Sequence, residues 1–240
     1  MTMSDARNLE QAVADILTEM PQGFNVGNRR FYIYPVSLGK SYLLSRLTDS
    51  LEVDAKLLKL NPCAEALRLT LTNVDVVCRI IALHTMRTQD ECHDVEKIER
   101  TARFFAKRLS AEEVAQLFAL TLADADLEAI NEHLGINADN LRRKRVMAAK
   151  KEDRNTFTFG GNSVFGAMIA PACEKLNLTP RQVVWDISLK LLRLLLADSI
   201  TQVYLTDEER KHCRVSNDNE RINGDDPAMM QEWIRQTKWD

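Results

Sequence analysis

Few residues of this 240-residue chain combine a type and a spacing that could do chemistry. The closest approach to a metal cluster is Cys92-His93-Asp94, with His84 a short way upstream. A structural zinc site takes two ligand pairs from two places in the chain, and here the second pair is missing. A helix end with polar residues is the simpler interpretation of this tripeptide. We therefore predict no metal ligand and no cofactor.

No catalytic residue is predicted either. The sequence contains neither a Gly-x-Ser-x-Gly nucleophile elbow nor a P-loop. The run Gly160-Gly161-Asn162-Ser163 resembles a phosphate-binding turn only loosely, because no lysine follows it. A chain reversal made by glycines is the simpler interpretation, so a non-enzymatic function is expected.

The stretch 142–154 is strongly basic, with seven Lys or Arg residues against two carboxylates. Arg142, Arg143 and Arg145 are its candidate contacts, either to phosphates or to the acidic face of an elongated protein. No aromatic residue interleaves with these charges, so a solvated helix or a linker stays open. The whole chain has 32 Lys and Arg against 35 Asp and Glu, a net charge of −3. That balance gives no global reason to expect nucleic acid or a membrane surface as the partner.

The C-terminal segment carries a second candidate binding surface, formed by Met229, Met230 and Trp233. It follows a polar stretch, and methionine and aromatic side chains are favoured at adaptable binding surfaces. The alternative is that this segment docks back on its own domain.

The composition favours a mainly α fold made of helical bundle-like units with a small N-terminal β-hairpin. Eight Gly and six Pro are too few for a turn-rich sandwich or barrel. The hairpin is predicted near 24–35, because two β-prone runs flank Gly27-Asn28. We divide the chain into an N-terminal helical unit over 1–136, a basic linker or helix over 137–155, a C-terminal helical unit over 156–214, and a polar stretch with an amphipathic end over 215–240.

Helix boundaries follow from capping signals. Ser37 and the Asn61-Pro62 pair predict helix starts, and Gly135 predicts a helix end. The pairs Ser110 with Glu113 and Thr179 with Gln182 predict capping boxes; Pro180 strengthens the second. The second box would open an apolar helix over 179–203. Trp185 lies on this helix and is expected in the protein core.

The compartment is expected to be the cytoplasm. Five cysteines without a close pair are typical of reduced thiols, and the first ten residues lack the apolar core of a secretory signal. The most apolar stretch, 183–203, contains four charged residues, so no membrane span is predicted.

Several segments resemble the tail assembly chaperones of long-tailed bacteriophages and prophages. The similar segments are 31–40, 158–166, 178–188, 194–198 and 204–206. The first segment corresponds to the family's N-terminal hairpin and the start of its first shared helix. The later segments share a pattern in which Trp185 is followed by Ser188 and then by a leucine-rich run that ends in Ala197-Asp198. These are patterns of hydrophobic and capping residues rather than a catalytic signature.

The resemblance implies a protein that binds the tape measure protein and assists tail tube assembly, with the tail tube protein as a further candidate partner. It also implies self-association, a place in the host cytoplasm and absence from the mature virion. The alternative, from another class, is a nucleic-acid-associated regulator that uses the basic stretch 142–154.

Overall fold

The computed structural model describes residues 3–122, 127–150, 161–200, 202–206 and 209. Contacts divide the chain into one unit of residues 1–138 and 158–201 and a second of residues 139–157 and 202–240. The four-part division drawn from the sequence stays a prediction. The helices are α1 (Met3–Leu17), α2 (Leu38–Thr48), α3 (Ala55–Leu60), α4 (Pro62–His84), α5 (Gln89–His93), α6 (Val95–Arg108), α7 (Ala111–Leu122), α8 (Leu127–His133), α9 (Ile136–Ala149), α10 (Ala170–Leu176) and α11 (Leu189–Ala197).

The mainly α fold with a small N-terminal hairpin is confirmed. Strands β1 (Gln22–Val26) and β2 (Arg29–Ile33) pair antiparallel, with Phe24 opposite Phe31. Gly27 begins the two-residue turn at φ +57°, a backbone angle that glycine adopts without strain. None of the described helices is both long and apolar enough to cross a lipid bilayer.

The main core of the first unit forms where α4 packs against α6 and α7. Its largest inaccessible side chains include Ile81 of α4, Phe105 of α6 and Phe118 of α7. The hairpin covers this core, because Phe24 and Phe31 stack on each other and both contact Phe105, at ring centroid distances of 5.8 and 4.9 Å. Burying side chains of this size contributes about 2 kcal/mol each.

Two smaller clusters complete the first unit. In one, Ile16 of α1 packs with Ile130 of α8, Ile136 and Leu194 of α11. The other gathers Ala172, Val183 and Leu192. Helices distant in sequence thus share cores, and residues on both sides of the basic stretch belong to the first unit.

The continuous apolar helix predicted over 179–203 is wrong. The capping box forms as predicted: the Thr179 amide donates to Gln182 Oε1 at 2.9 Å, and the Gln182 amide donates to Thr179 Oγ1 at 3.3 Å. A π-helical turn over Gln182–Asp186 then ends at Ile187, whose backbone is extended, and α11 begins after Ser188.

Tertiary hydrogen bonds cause this break. The Ser188 amide donates to the Glu19 carboxylate at 2.6 Å, and Ser188 Oγ accepts from the Leu191 amide as the cap of α11. Ser188 also forms a β-bridge with Ser37, and the Leu189 amide donates to the Val36 carbonyl at 2.7 Å. These partners satisfy the backbone groups that a continuous helix would have paired internally.

Trp185 contacts the start of α2 as a consequence of this bridge. A β-carbon placed on Gly39 would stand 2.8 Å from the Trp185 ring, closer than van der Waals contact allows. Trp185 is half-buried and packs against the main core. Gly39 is therefore required by the close approach of the indole rather than by its own backbone angles.

We expect Gly39→Ala to destabilise the protein by about 1–3 kcal/mol through overpacking against Trp185. Helix propensity alone predicts the opposite sign, a gain of about 1 kcal/mol for alanine at a helical position. Urea unfolding of the wild type and the variant measures the difference. In a Trp185→Leu background the same alanine is expected to become neutral or stabilising. Destabilisation of equal size in both backgrounds would contradict this account.

Candidate functional site

An exposed row of apolar side chains lies on the first half of α4. Cys63, Leu67 and Leu71 are spaced by four residues each, which places them on one side of the helix. Val74 follows three residues after Leu71, beyond a non-helical residue at Asn73. All four are exposed; Leu71 has 68% of its surface accessible and Val74 40%. We call this set the α4 apolar face. Its regular helical part, from Cys63 to Leu71, is about 12 Å long.

The capping of α3 and α4 sets where this face begins. Asn61 ends α3 with an extended backbone and caps α4, because its side chain accepts from the Ala64 amide at 3.1 Å. Pro62 occupies the first turn, where its missing amide hydrogen is not needed. Leu60, immediately before this cap, is 85% exposed and adds a further apolar side chain near the start of the face.

An ion pair between buried Glu65 and partly exposed Arg68 fixes the same end of α4. Glu65 is inaccessible to solvent and accepts from Arg68 through both carboxylate oxygens, at 2.7 and 2.8 Å. The Asp54 amide donates to the same carboxylate at 2.7 Å, which ties the turn before α3 to α4. The polar side of this half-helix therefore holds its position by hydrogen bonds, and the apolar face is left pointing outward.

The second half of α4 has a different environment. Asn73 departs from helical geometry at φ −140° and ψ 47°, and this interrupts the helix within the apolar face. Beyond it, Val77 and Cys78 are fully buried, and each residue from Ile80 to His84 is at most 6% exposed. In the sequence, apolar residues on more than one side of the helix around 74–83 are typical of a central helix, and this agrees with the buried half. That pattern gave no sign of the outward apolar face, since apolar residues on two sides resemble a helix buried all round.

Lys40 forms a buried polar cluster at the other end of α4. Its side chain is 2% exposed, and its Nζ donates to the carbonyls of His84 at 3.1 Å and Met86 at 2.6 Å. Carbonyls at the end of a helix have no partner within the helix and carry partial negative charge, so a cation suits this position. Burial lowers the Lys40 pKa to about 8, while the nearby Cys92 and Glu91 act in the opposite direction.

His84 lies in the same cluster and is 6% exposed. Its Nδ1 is buried without a hydrogen-bond partner among the described residues. Burial, and then the positive charge of Lys40, lowers the His84 pKa to about 3. The imidazole is therefore neutral near physiological pH.

The residues of the tripeptide considered as a metal cluster serve separate structural purposes. Cys92 is buried beside Lys40, and His93 contacts the Trp185 ring edge-on at 5.1 Å. Asp94 caps α6 by accepting from the Lys97 amide at 2.9 Å. Within the described ranges, no three His, Cys, Asp or Glu side chains are grouped so that they could hold a metal ion.

The structure covers only some of the residues predicted to bind partners. Arg142, Arg143 and Arg145 lie on α9; Arg142 is half-buried, and the other two are exposed. Met229, Met230 and Trp233 lie outside the described residues, as does the rest of the basic stretch after residue 150. Their proposed binding roles stay predictions.

Comparison of the chain with models of protein families, with curated proteins and with solved structures finds no match.

Replacing Lys40 by methionine is expected to destabilise the protein by about 2–3 kcal/mol, because buried carbonyls of His84 and Met86 lose a charged donor. Chemical unfolding near neutral pH measures this effect. Lys56→Met, at an exposed position of α3, is the matched control and should change stability by less than about 0.5 kcal/mol. Equal stability of the Lys40→Met variant and the wild type would contradict the capping function.

The low pKa of His84 predicts a loss of stability in acid. Between pH 6.5 and 3 the unfolded chain binds a proton that the folded chain does not, so stability falls as the pH falls through this window. At about pH 4.5 the loss amounts to about 2–3 kcal/mol. From neutral pH to pH 4.5, the free energy of unfolding of the His84→Leu variant should fall by about 2–3 kcal/mol less than that of the wild type. An identical loss in both proteins would show that His84 does not cause it.

Proposed function

We propose that the protein is a non-enzymatic tail assembly chaperone of a long-tailed bacteriophage or prophage. In this function it binds the tape measure protein and assists assembly of the tail tube, whose subunit is a further candidate partner. It acts in the cytoplasm of the host cell and does not remain in the mature virion.

The α4 apolar face is the observation that carries this proposal. A tape measure protein is a very long helical chain that self-associates unless its apolar stripes are covered. An outward row of leucines on a helix can receive such a stripe through contacts at i, i+4 and i+7. Because the Glu65–Arg68 pair and the caps of α3 and α4 hold this half-helix in place, the face is already formed before a partner arrives.

The packing of the segments that resemble the family also supports the proposal. Segment 31–40 and segment 178–188 are far apart in the sequence, yet Ser37 bridges Ser188 and Gly39 contacts Trp185. A resemblance spread over distant segments is more informative when those segments form one structural element. Here the capping residues Ser37 and Ser188 and the aromatic residue Trp185 lie where the two segments meet.

The contacts of a chaperone that must later leave should each be modest. Two leucine side chains that cover one turn of the partner's apolar stripe contribute only about 3–6 kcal/mol to the binding free energy, before the costs of association are subtracted. Several copies along one tape measure chain would supply the remaining avidity, so we expect the protein to self-associate. Incoming tube subunits can then displace the copies one at a time.

The test is affinity co-purification from cells that express the tagged chain together with its neighbouring genes. We expect a large helix-rich protein to co-purify with the wild type. Leu67→Glu combined with Leu71→Glu should reduce its recovery at least about tenfold, because two glutamates would have to be desolvated in the interface. Mass spectrometry and quantitative staining of the eluate measure this.

A matched control places the same two glutamates elsewhere. Leu17, the last residue of α1, and Met20, three residues further on, are 60% and 63% exposed. Leu17→Glu with Met20→Glu should leave recovery unchanged. Equal recovery with both double variants would contradict binding through the α4 apolar face. Recovery of nuclease-sensitive nucleic acid instead, lost when Arg142 to Arg145 are neutralised, would favour the nucleic-acid alternative.

A further inference from the structure

A groove of about 870 Å³ lies between strand β2 and helix α6. Basic side chains are the largest group in its lining, and two phenylalanine rings form the part that we call its floor. Six of the lining side chains define what we call the basic groove: Arg29, Phe31, Arg100, Arg103, Phe104 and Lys107.

The groove concentrates positive charge on an otherwise acidic chain. Five cations and two carboxylates line it, while the whole chain carries a net charge of −3. One cation, Lys97, pairs with Glu91 at 2.7 Å, and one carboxylate, Glu99, pairs with Arg79 at 2.7 Å. Among the described residues, Arg29, Arg100, Arg103 and Lys107 have no carboxylate within ion-pair distance. Arg103 Nε donates to the Glu99 carbonyl at 3.3 Å and Arg29 lies over the Phe104 ring, but none of the four charges is paired with a carboxylate.

The spacing of these cations matches a helical ligand. Arg100, Arg103 and Lys107 stand at i, i+3 and i+7 on α6, which places them in a row about 10 Å long. A partner helix with carboxylates at the same spacing presents the same row. Charge-assisted hydrogen bonds between guanidinium groups and carboxylates are among the stronger and more directional polar contacts.

The floor adds an apolar requirement. Phe31 and Phe104 lie 5.9 Å apart by ring centroids, and both are half-buried. A ligand that covers these side chains gains the burial of apolar surface in addition to its ion pairs. The groove therefore suits a segment with one acidic and one apolar side.

Two features disfavour nucleic acid in this groove. The Arg29 guanidinium lies over the Phe104 ring at 5.1 Å and covers a face on which a base would stack. Glu96 lies in the same wall, before Arg100, so a long polyanion following the row of cations would meet a carboxylate. A short acidic segment ends before that point.

We infer that the basic groove binds an acidic amphipathic helix of a partner protein, with carboxylates at i, i+3 and i+7. This site is separate from the α4 apolar face and does not depend on the proposed function.

The test uses the full chain and a synthetic amphipathic peptide with glutamates at i, i+3 and i+7 and leucines beside them. Fluorescence anisotropy of the labelled peptide should show saturable binding, and binding should weaken severalfold from about 50 to about 300 mM NaCl. The same peptide with glutamine in place of glutamate should bind at least about tenfold more weakly. Equal binding of both peptides would overturn the inference.

Variants of α6 locate the site. Arg100→Glu, Arg103→Glu and Lys107→Glu together should weaken peptide binding at least about tenfold, and the milder triple change to glutamine should weaken it less. The matched control makes the same charge change at Arg46, Lys56 and Lys59, which are exposed on α2 and α3. Circular dichroism verifies that each variant folds. If the glutamate variant does not fold, peptide binding to the glutamine variant tests the inference instead.

Other occupants of the groove would show themselves in the same series. Tighter binding of a single-stranded oligothymidylate than of the acidic peptide, lost in the α6 variants, would replace the inference with a nucleic-acid site. Self-association of the wild type that disappears in the α6 variants would assign the groove to a second copy of the chain. Equal weakening of peptide binding by the control variant would show that net charge, and not the groove, attracts the peptide.

Discussion

The buried ammonium group of Lys40 is the contact on which much of the first unit depends. It donates to the carbonyls of His84 and Met86 and so joins the start of α2 to the end of α4. The residues beside it make the other long-range contacts of the same turn: Ser37 bridges Ser188, and Gly39 receives Trp185. One turn of helix thereby connects the hairpin, the central helix and the C-terminal helices.

This arrangement explains which parts of the fold were predictable from the sequence. Caps act through local hydrogen bonds, so Ser37, Asn61 and the pair Ser110 with Glu113 marked helix starts where the structure has them. Ser188 was not predicted as a helix start. Its amide bonds to Glu19, which is distant in sequence, and no local pattern predicts that partner. The apolar run around it suggested a continuous helix, and the tertiary contacts divide that run into two.

The candidate sites were harder to predict for the same reason. Leu67 and Leu71 have the same spacing whether they face a core or solvent, and only the packing of α6 and α7 on the other side of α4 decides between the two. Lys40 is an ordinary helical lysine in the sequence, and its burial follows from the position of α5 and the end of α4. Arg29 and Arg100 come together only because the hairpin covers α6, so the basic stretch 142–154 was the more visible charge cluster.

We propose that a helical partner covers the α4 apolar face, and Cys63 allows a direct test because its exposed thiol lies on that face. Maleimide alkylation followed by peptide mass spectrometry gives the labelling rate of Cys63 in the free chain and in the complex with the helical protein that is expected to co-purify. The account predicts rapid labelling of the free chain and labelling at least about tenfold slower in the complex, since a covered thiolate is not accessible to the reagent. The same labelling rate in both, or purification of the chain without such a partner, would contradict it.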